Sequence, residues 1–282
     1  MLFHRFWFRA LLLPGSDLSI LVEAAEKAGE IATRYWQKSP KTWEKDAGAG
    51  PVTEADLDVN DMLKDFLTTA RPDYGWLSEE TLDTTARQSR ELVFIIDPID
   101  GTRSFIAGEK TWAHSLAIAQ QGRITAAVIY LPLRDKLYSA RLGNGAHLNG
   151  IKIQQSGRTE LVDARVLSAK SNFDASHWPG GVPNIQRHFR SSLAYRLALV
   201  AEGRFDAMIT LRDTWEWDVA AGSLIVQEAG ATVTNRFGEA AVFNNPRPAL
   251  SGLLAANQDV HHALAKSLDQ KGSLPATGSI RL

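Results

Sequence analysis

Cysteine is absent from this 282-residue chain. That absence excludes disulfides, thiolate zinc sites and cysteine nucleophiles together. A surplus of either charge is lacking too, with 31 Lys and Arg against 32 Asp and Glu and a formal net charge of −1. Broad nucleic-acid binding needs a basic excess, so that class is excluded, whereas a local basic pocket is not. No apolar run reaches the roughly 18 residues of a membrane-spanning helix. Low-complexity tracts and internal repeats are missing as well. What is present is 44% hydrophobic and 22% charged, enough for a folded core in one large domain or two modest ones. With thiols gone, 32 acidic side chains and seven histidines leave only oxygen or imidazole to hold a metal.

The two ends differ from the rest. Met1 to Pro14 is basic and aromatic with a short apolar tail. It lacks the longer apolar stretch and the small-residue cleavage site of a signal peptide. Residues 1–16 are read as an extension, and residues 270–282, rich in Gly, Ser, Pro and Thr, as a flexible tail. A cytoplasmic protein is the expectation.

Periodicity supplies the elements. Ser16 or Asp17 can cap a helix with Leu18, Leu21, Val22, Ala25, Ala28, Ala32 and Tyr35 on its apolar face. After a polar loop, a second helix from about Thr53 gathers Val59, Met62, Leu63, Phe66 and Leu67. Leu92 to Ile96 reads as a buried strand, and Ser115–Gln120, Ala126–Leu131 and Lys136–Arg141 as further strands. Residues 17–160 therefore form an α+β half. In residues 161–269, strands at Val166–Ser168, Phe205–Leu211 and Ala231–Thr234 alternate with helices. Those helices are Leu193–Glu202, closed by Gly203, and Asp218–Ala229, closed by Gly230. The second half is α/β, and the fold class expected for the whole chain is α/β.

The sharpest string is Asp97-Pro98-Ile99-Asp100-Gly101-Thr102, directly after a buried strand. Pro98 presets a turn beginning at Asp97, letting Asp97 and Asp100 converge. Gly101 permits close backbone approach, and Thr102 opens a segment whose free N–H groups can bind an anion. Two carboxylates beside such a backbone suit a divalent cation that bridges protein and phosphate. The plainer alternative is an Asp-Pro turn with a helix cap. Glu79-Glu80, Trp215-Glu216-Trp217-Asp218 and Pro51-Val52-Thr53-Glu54-Ala55-Asp56 add acids. Taken alone, Asp218 is most simply an N-cap, and Asp56 sits in a helix first turn.

Together these strings resemble the inositol monophosphatase superfamily of magnesium-dependent phosphomonoesterases. The match is carried by Pro51–Asp56, Ser78–Glu80, Asp97–Thr102 and Trp217–Gly222, in the family's order, within a likeness spanning roughly Leu18 to Leu268. The resemblance implies a layered αβαβα sandwich. It implies two or three Mg2+ ions. Glu79, Asp97 and the carbonyl of Ile99 would hold the first, and Asp97, Asp100 and Asp218 the second. A third, weaker ion would touch Glu79 and reach Asp56 through water. Thr102, paired with Asp56, would help activate the nucleophilic water. The N–H groups of Gly101 and Thr102 would hold the phosphate, and Lys45 would be a loop lysine near the metals. Two metals about 3.5–4 Å apart clamp attacking and leaving oxygens in such hydrolysis. A homodimer is suggested by the resemblance alone.

Several positions depart from the family. Leu211 stands where inositol monophosphatases carry a substrate-binding Glu seven residues before the WD aspartate. Their usual Asn-Phe is replaced by Ser104-Phe105 following Arg103, Arg190 stands where a Gly is expected, and Glu216 replaces the small residue common before WD in inositol monophosphatases. The run through Arg190-Ser191-Ser192-Leu193 and Glu216-Trp217-Asp218 leans toward the 3′(2′),5′-bisphosphate nucleotidase branch. Lys170, Arg190 and Arg196 would then frame the leaving group, with Asp218 also touching substrate. The expected reaction converts 3′-phosphoadenosine 5′-phosphate to AMP and phosphate. Inositol 1-phosphate and histidinol phosphate are the alternative substrates, all of them small phosphorylated metabolites. A noncatalytic regulatory or RNA-associated protein on the same scaffold is the reading from a different class. His114, His147, His177 and His188 receive no chemistry, and His261-His262 reads as surface.

Overall fold

The computed structural model describes residues 15–45 and 50–268. Apart from Gly15 and Ser16, the N-terminal extension lies outside the described residues, as do the tail 270–282 and Gly48.

Helix α1 (Asp17–Tyr35) starts at Ser16, whose hydroxyl accepts the Ser19 N–H. Strands β1 (Thr42–Glu44) and β2 (Pro51–Thr53) form an antiparallel ribbon leading into helix α2 (Glu54–Ala70). Thr53 caps α2 in a capping box with Asp56 at the third position, as a Thr followed by an acid three residues on permits. The main sheet has seven strands in sequential order. They are β3 (Gly75–Ser78), β4 (Leu92–Asp100), β5 (Ala113–Gln120), β6 (Arg123–Leu131), β7 (Lys136–Arg141), β8 (Ala146–Leu148) and β9 (Ile151–Ile153). Within this sheet only the β3–β4 pair is parallel.

Strand β4 corrects one expectation. No turn begins at Asp97; the strand continues through Pro98 to Asp100, and its pairing with β5 shifts register between Asp97 and Asp100. A proline cannot donate to a ladder, and a bulge is where a strand tolerates one. The short helix α3 (Thr102–Ile106) follows.

Alternation along β4 builds two cores. Phe94 and Ile96 pack with Leu21, Ala28, Val59 and Leu63 from α1 and α2. Val93 and Ile95 face the opposite way, into a cluster with helices α4 (Leu193–Ala201) and α5 (Glu216–Glu228). Each fully buried aliphatic side chain of this kind contributes about 1.5–3 kcal/mol of transfer free energy. Gly222 sets the spacing of α4 and α5, since a Cβ there would lie 2.4 Å from Leu197 Cδ1.

The second sheet has the order β11 (Gln186–His188), β10 (Arg165–Ser168), β12 (Ala207–Thr210), β16 (Leu253–Ala256) and β14 (Thr232–Thr234). Leu167, Met208 and Ala255 point toward α4 and α5, while Val166, Ile209 and Leu254 point toward helix α6 (Gln258–Ser267) with Val260 and Leu264. The layers therefore run α1/α2, seven strands, α4/α5, five strands, α6. This is the αβαβα sandwich, and the middle core draws on residues from both halves of the chain. A minor ribbon, β13 (Thr214–Trp215) with β15 (Ala249–Leu250), leads into α5.

Two further expectations change. Helix α5 begins at Glu216, with Trp215 as its cap residue, so Asp218 lies in the first turn and is not the N-cap. His261 is buried, not on the surface, because its position on α6 turns it inward to share a 2.9 Å bond with Thr234 Oγ1.

Candidate metal centre and active site

Three carboxylates meet where β4 ends and α5 begins. Oxygens of Asp97, Asp100 and Asp218 all lie within 4.8 Å of one another. The bulge in β4 is what lets both of its acids turn toward α5. Asp100 Oδ2 accepts 2.6 Å bonds from the Ser192 hydroxyl and the Ala194 N–H at the start of α4. Both oxygens of Asp97 are buried and have no hydrogen-bond partner. Burial pushes the carboxyls of Asp97 and Asp218 well above the usual range, and the neighbouring acids, Glu79 among them, push further. Asp100 rises to about 6, driven by burial and restrained by the bonds from Ser192 and Ala194.

Buried carboxylates this close repel one another unless a cation lies between them. The orphaned oxygens of Asp97 are the group such a cation would satisfy. The cluster contains neither His nor Cys. An all-oxygen donor set fits magnesium and disfavours zinc.

The remaining predicted residues fall into place unevenly. Glu79 and Glu80 leave the end of β3, and the Glu79 N–H donates to the Ile96 carbonyl at 3.2 Å. Glu79 is not one of the three converging acids; its Oε1 takes a 2.7 Å bond from Lys45 Nζ. The same ammonium bonds Glu80 Oε1 at 2.6 Å. Burial and the Glu79 charge raise Glu80 to about 7 against the pull of Lys45. Burial would lower Lys45, but the two glutamates overcome this and hold its pKa above the ordinary value.

Thr102 and Asp56 meet as the resemblance implies. The Thr102 hydroxyl lies 3.1 Å from Asp56 Oδ1 and 3.2 Å from the Ile99 carbonyl, and its single proton can serve either. Asp56 Oδ2 accepts from the Thr53 N–H at 2.9 Å and hydroxyl at 2.6 Å, so the capping box also aims the other oxygen at Thr102. Burial lifts Asp56 to about 6, with the Thr53 bonds opposing. Gly101 adopts φ +98°, a left-handed conformation that only glycine takes freely. The first bond inside α3 is donated by Ser104 to the Gly101 carbonyl, so the Thr102 N–H precedes it. Behind this strand end, fully buried His114 bonds the Pro98 carbonyl through Nδ1, and burial pushes it down to about 4.

Of the three predicted cations, Arg196 is the one whose charge acts on Asp100 and Asp218. Arg196 is buried, with its Nη2 3.5 Å from the Ser191 carbonyl and its guanidinium 4.6 Å from the Phe189 ring. Burial lowers it to about 10, and the charges of Asp100 and Asp218 act against that. Arg190 folds onto its own chain, bonding the Phe189 carbonyl at 2.6 Å, and Lys170 is exposed. Arg212 has no predicted role, yet its charge acts on both Asp218 and Arg196. Ser192 was also missed as an Asp100 partner, although its position before an apolar helix is a cap signal.

A profile described as the inositol monophosphatase family matches residues 16–273. A Mesorhizobium japonicum protein named inositol-1-monophosphatase is 32% identical over 265 residues, 89% of this chain and 95% of that one. The Nus factor SuhB of Escherichia coli K12 is 33% identical over 230 residues, 77% of this chain and 84% of that one. Among solved structures, the Thermotoga maritima IMPase superposes with a TM-score of 0.76 at 28% identity, covering 89% of this chain and 95% of that one. The extragenic suppressor protein suhB of Bartonella henselae gives 0.75 at 30% identity, covering 90% and 98%. These names favour the inositol monophosphatase reading over the bisphosphate nucleotidase branch suggested by Arg190–Leu193 and Glu216. The sandwich, the gathered acids and the match over most of the sequence agree: this chain belongs to the inositol monophosphatase family of metal-dependent phosphomonoesterases.

Proposed function

We propose that the chain releases inorganic phosphate from the monoester of a small polyol, with inositol 1-phosphate the leading substrate. The observation that carries this reading is the convergence of Asp97, Asp100 and Asp218 around two buried, unpartnered carboxylate oxygens. Asp97, Asp100, Asp218, Glu79 and the Ile99 carbonyl are the donors that would hold magnesium. When bound, magnesium neutralises charge on the transferring phosphoryl group and makes water nucleophilic near neutral pH.

The chain's own residues do the rest. Asp56 Oδ1 accepts the Thr102 proton, which leaves the Thr102 oxygen lone pairs to orient an incoming water. Asp56 in turn can take up a proton, helped by a carboxyl already raised to about 6. The Gly101 and Thr102 N–H groups hold phosphate oxygens. Lys45 restrains Glu79 beside the cluster. Arg196, with Arg212 near it, offers positive charge on the leaving-group side. Leu211 is buried and apolar, so no carboxylate at that position grips a polyol hydroxyl.

Purified protein with magnesium, assayed against inositol 1-phosphate, 3′-phosphoadenosine 5′-phosphate and histidinol phosphate, tests this. Inositol 1-phosphate should give the highest kcat/KM. A preference of tenfold or more for the bisphosphorylated nucleotide, about 1.4 kcal/mol, overturns the substrate. No hydrolysis of any ester overturns the enzymatic reading. A second reading, a regulatory protein on this scaffold, has one observation in its favour, the likeness to a protein named Nus factor SuhB. It predicts that function in cells survives Asp97→Asn.

A further inference from the structure

Glu216 takes part in no catalytic step derived above. It is fully buried at 0% exposure, immediately before Trp217-Asp218. Both of its oxygens are used. Oε2 accepts the Asn244 N–H at 2.6 Å, and Oε1 accepts the Asn245 N–H and side-chain amide, each at 2.8 Å. Its own N–H donates to the Pro248 carbonyl at 2.9 Å.

The other side of the same two asparagines is held by Arg87. This guanidinium bonds the Asn244 side-chain oxygen and the Asn245 carbonyl, the latter at 2.7 Å. It also grips Asp83 through two bonds at 2.7 and 2.9 Å. Arg87 is 3% exposed and lies in the 3₁₀ turn Thr85–Ser89, on the segment that leaves Glu79-Glu80. An unbroken chain of bonds therefore runs from the connection behind Glu79 and Glu80, through Arg87, Asn244 and Asn245, to Glu216. Two residues later comes Asp218.

Stability alone is a poor reason for this arrangement. Buried ions can often be replaced by apolar side chains without loss, whereas a fully bonded network fixes geometry. Here the two ions do not pair directly; both clamp one loop between them. That loop joins the β3–β4 side of the cleft, which supplies Glu79, to the first turn of α5, which supplies Asp218.

We propose that Arg87, Asn244, Asn245 and Glu216 form a clasp that positions Asp218 against the Glu79 side of the metal site. They are positioning residues and touch neither metal nor substrate. The proposal rests on the metal-dependent phosphatase reading.

The test is a calorimetric magnesium titration of the full chain without substrate. Glu216→Gln keeps side-chain size but turns an amide NH2 toward a backbone N–H. Its magnesium Kd should weaken by roughly 10–100-fold, the range for groups that orient metal ligands. Activity should return toward the unmodified level as magnesium is raised, which a general loss of structure does not allow. Leu264→Ala, beneath α6, is the control: it should lower the Tm and leave the magnesium Kd unchanged. Should Glu216→Gln fail to fold, Asn245→Ala removes one of the three donors to Glu216 and is read the same way. A variant with an unchanged Kd and a Tm lowered as far as in Leu264→Ala overturns the clasp and spares the phosphatase reading. Failure of the unmodified chain to bind magnesium sinks both.

Discussion

Two sets of buried charge lie within a few residues of each other in this molecule, and they are built on opposite rules. Glu216 accepts from three N–H groups and Arg87 donates to Asp83, the Asn244 side chain and the Asn245 carbonyl, so that six protein groups answer two ions. Asp97, Asp100 and Asp218 crowd together, none of them in an ion pair with a Lys or Arg among the described residues, and the side-chain oxygens of Asp97 have no hydrogen-bond partner. Burial raises the carboxyls in both places. The difference is who satisfies the charge. In the clasp the chain does so itself; in the cleft it leaves the task to a ligand. A saturated buried ion fixes the framework around the site, and an orphaned one awaits a ligand.

The largest expected effect breaks this contrast at the cleft. Asp97→Asn should abolish hydrolysis, lowering kcat/KM beyond the roughly 100-fold typical of losing a mere orienting group. Its denaturant midpoint without metal should stay level or rise, because a repelled charge is removed. A fall in stability together with retained activity would place Asp97 among the structural ions instead. Glu216→Ala is the opposite case. It takes the acceptor from two part-buried backbone N–H groups and from one proton of the Asn245 amide, which keeps its bond to the Val242 carbonyl; at about 1–3 kcal/mol for a fully buried donor, urea unfolding should show a loss of about 2 kcal/mol. Magnesium gives an effect of similar size. At about a hundredfold above its Kd it should stabilise the native protein by about 2.7 kcal/mol. Chelation should reverse this, and Asp97→Asn should not show it.

The smallest effect is a pH dependence at a saturated ion. Burial alone would raise buried Asp206, but the side-chain and backbone bonds from Arg165 outweigh it and the net shift is downward. A carboxyl with a depressed folded pKa contributes stability that is complete above its unfolded value near 3.9. That contribution is lost as pH falls through the folded value. Acid titration of the unfolding free energy should therefore show a decline below about pH 4 that Asp206→Asn makes shallower. An unchanged acid limb in that variant would dismiss Asp206 as a contributor.

Much of this is legible in the sequence. Thr53 and Asp56 are three residues apart, so the capping box follows from local sequence. The apolar period placed Leu63 and Val59 in a core, and the pattern after Leu92 marked a buried strand. Errors arose where a local rule competed with a long-range partner. Pro98 favours a turn on its own, yet pairing with β5 carries the strand through it as a bulge. Asp218 looks like a cap, yet the bonds to Glu216 draw α5 back to start earlier. His261 carries no sign in its neighbourhood that Thr234 waits across the outer core. Arg87 and Asn245 are 158 residues apart, beyond any motif.

Composition and local strings set which chemistry was available. Lacking cysteine, and with acids in ordered strings, it could offer only an oxygen-lined site for a hard cation. Caps, periods and glycine positions act over three or four residues, so they too were written locally. Tertiary structure decided which of those acids share a site and which are paired. It brought Asp218 to Asp97 and Asp100, gave Lys45 to Glu79, and closed Glu216 into a clasp. Those outcomes depend on which strands and helices pack against one another, and charges respond to neighbours in space, not to neighbours along the chain.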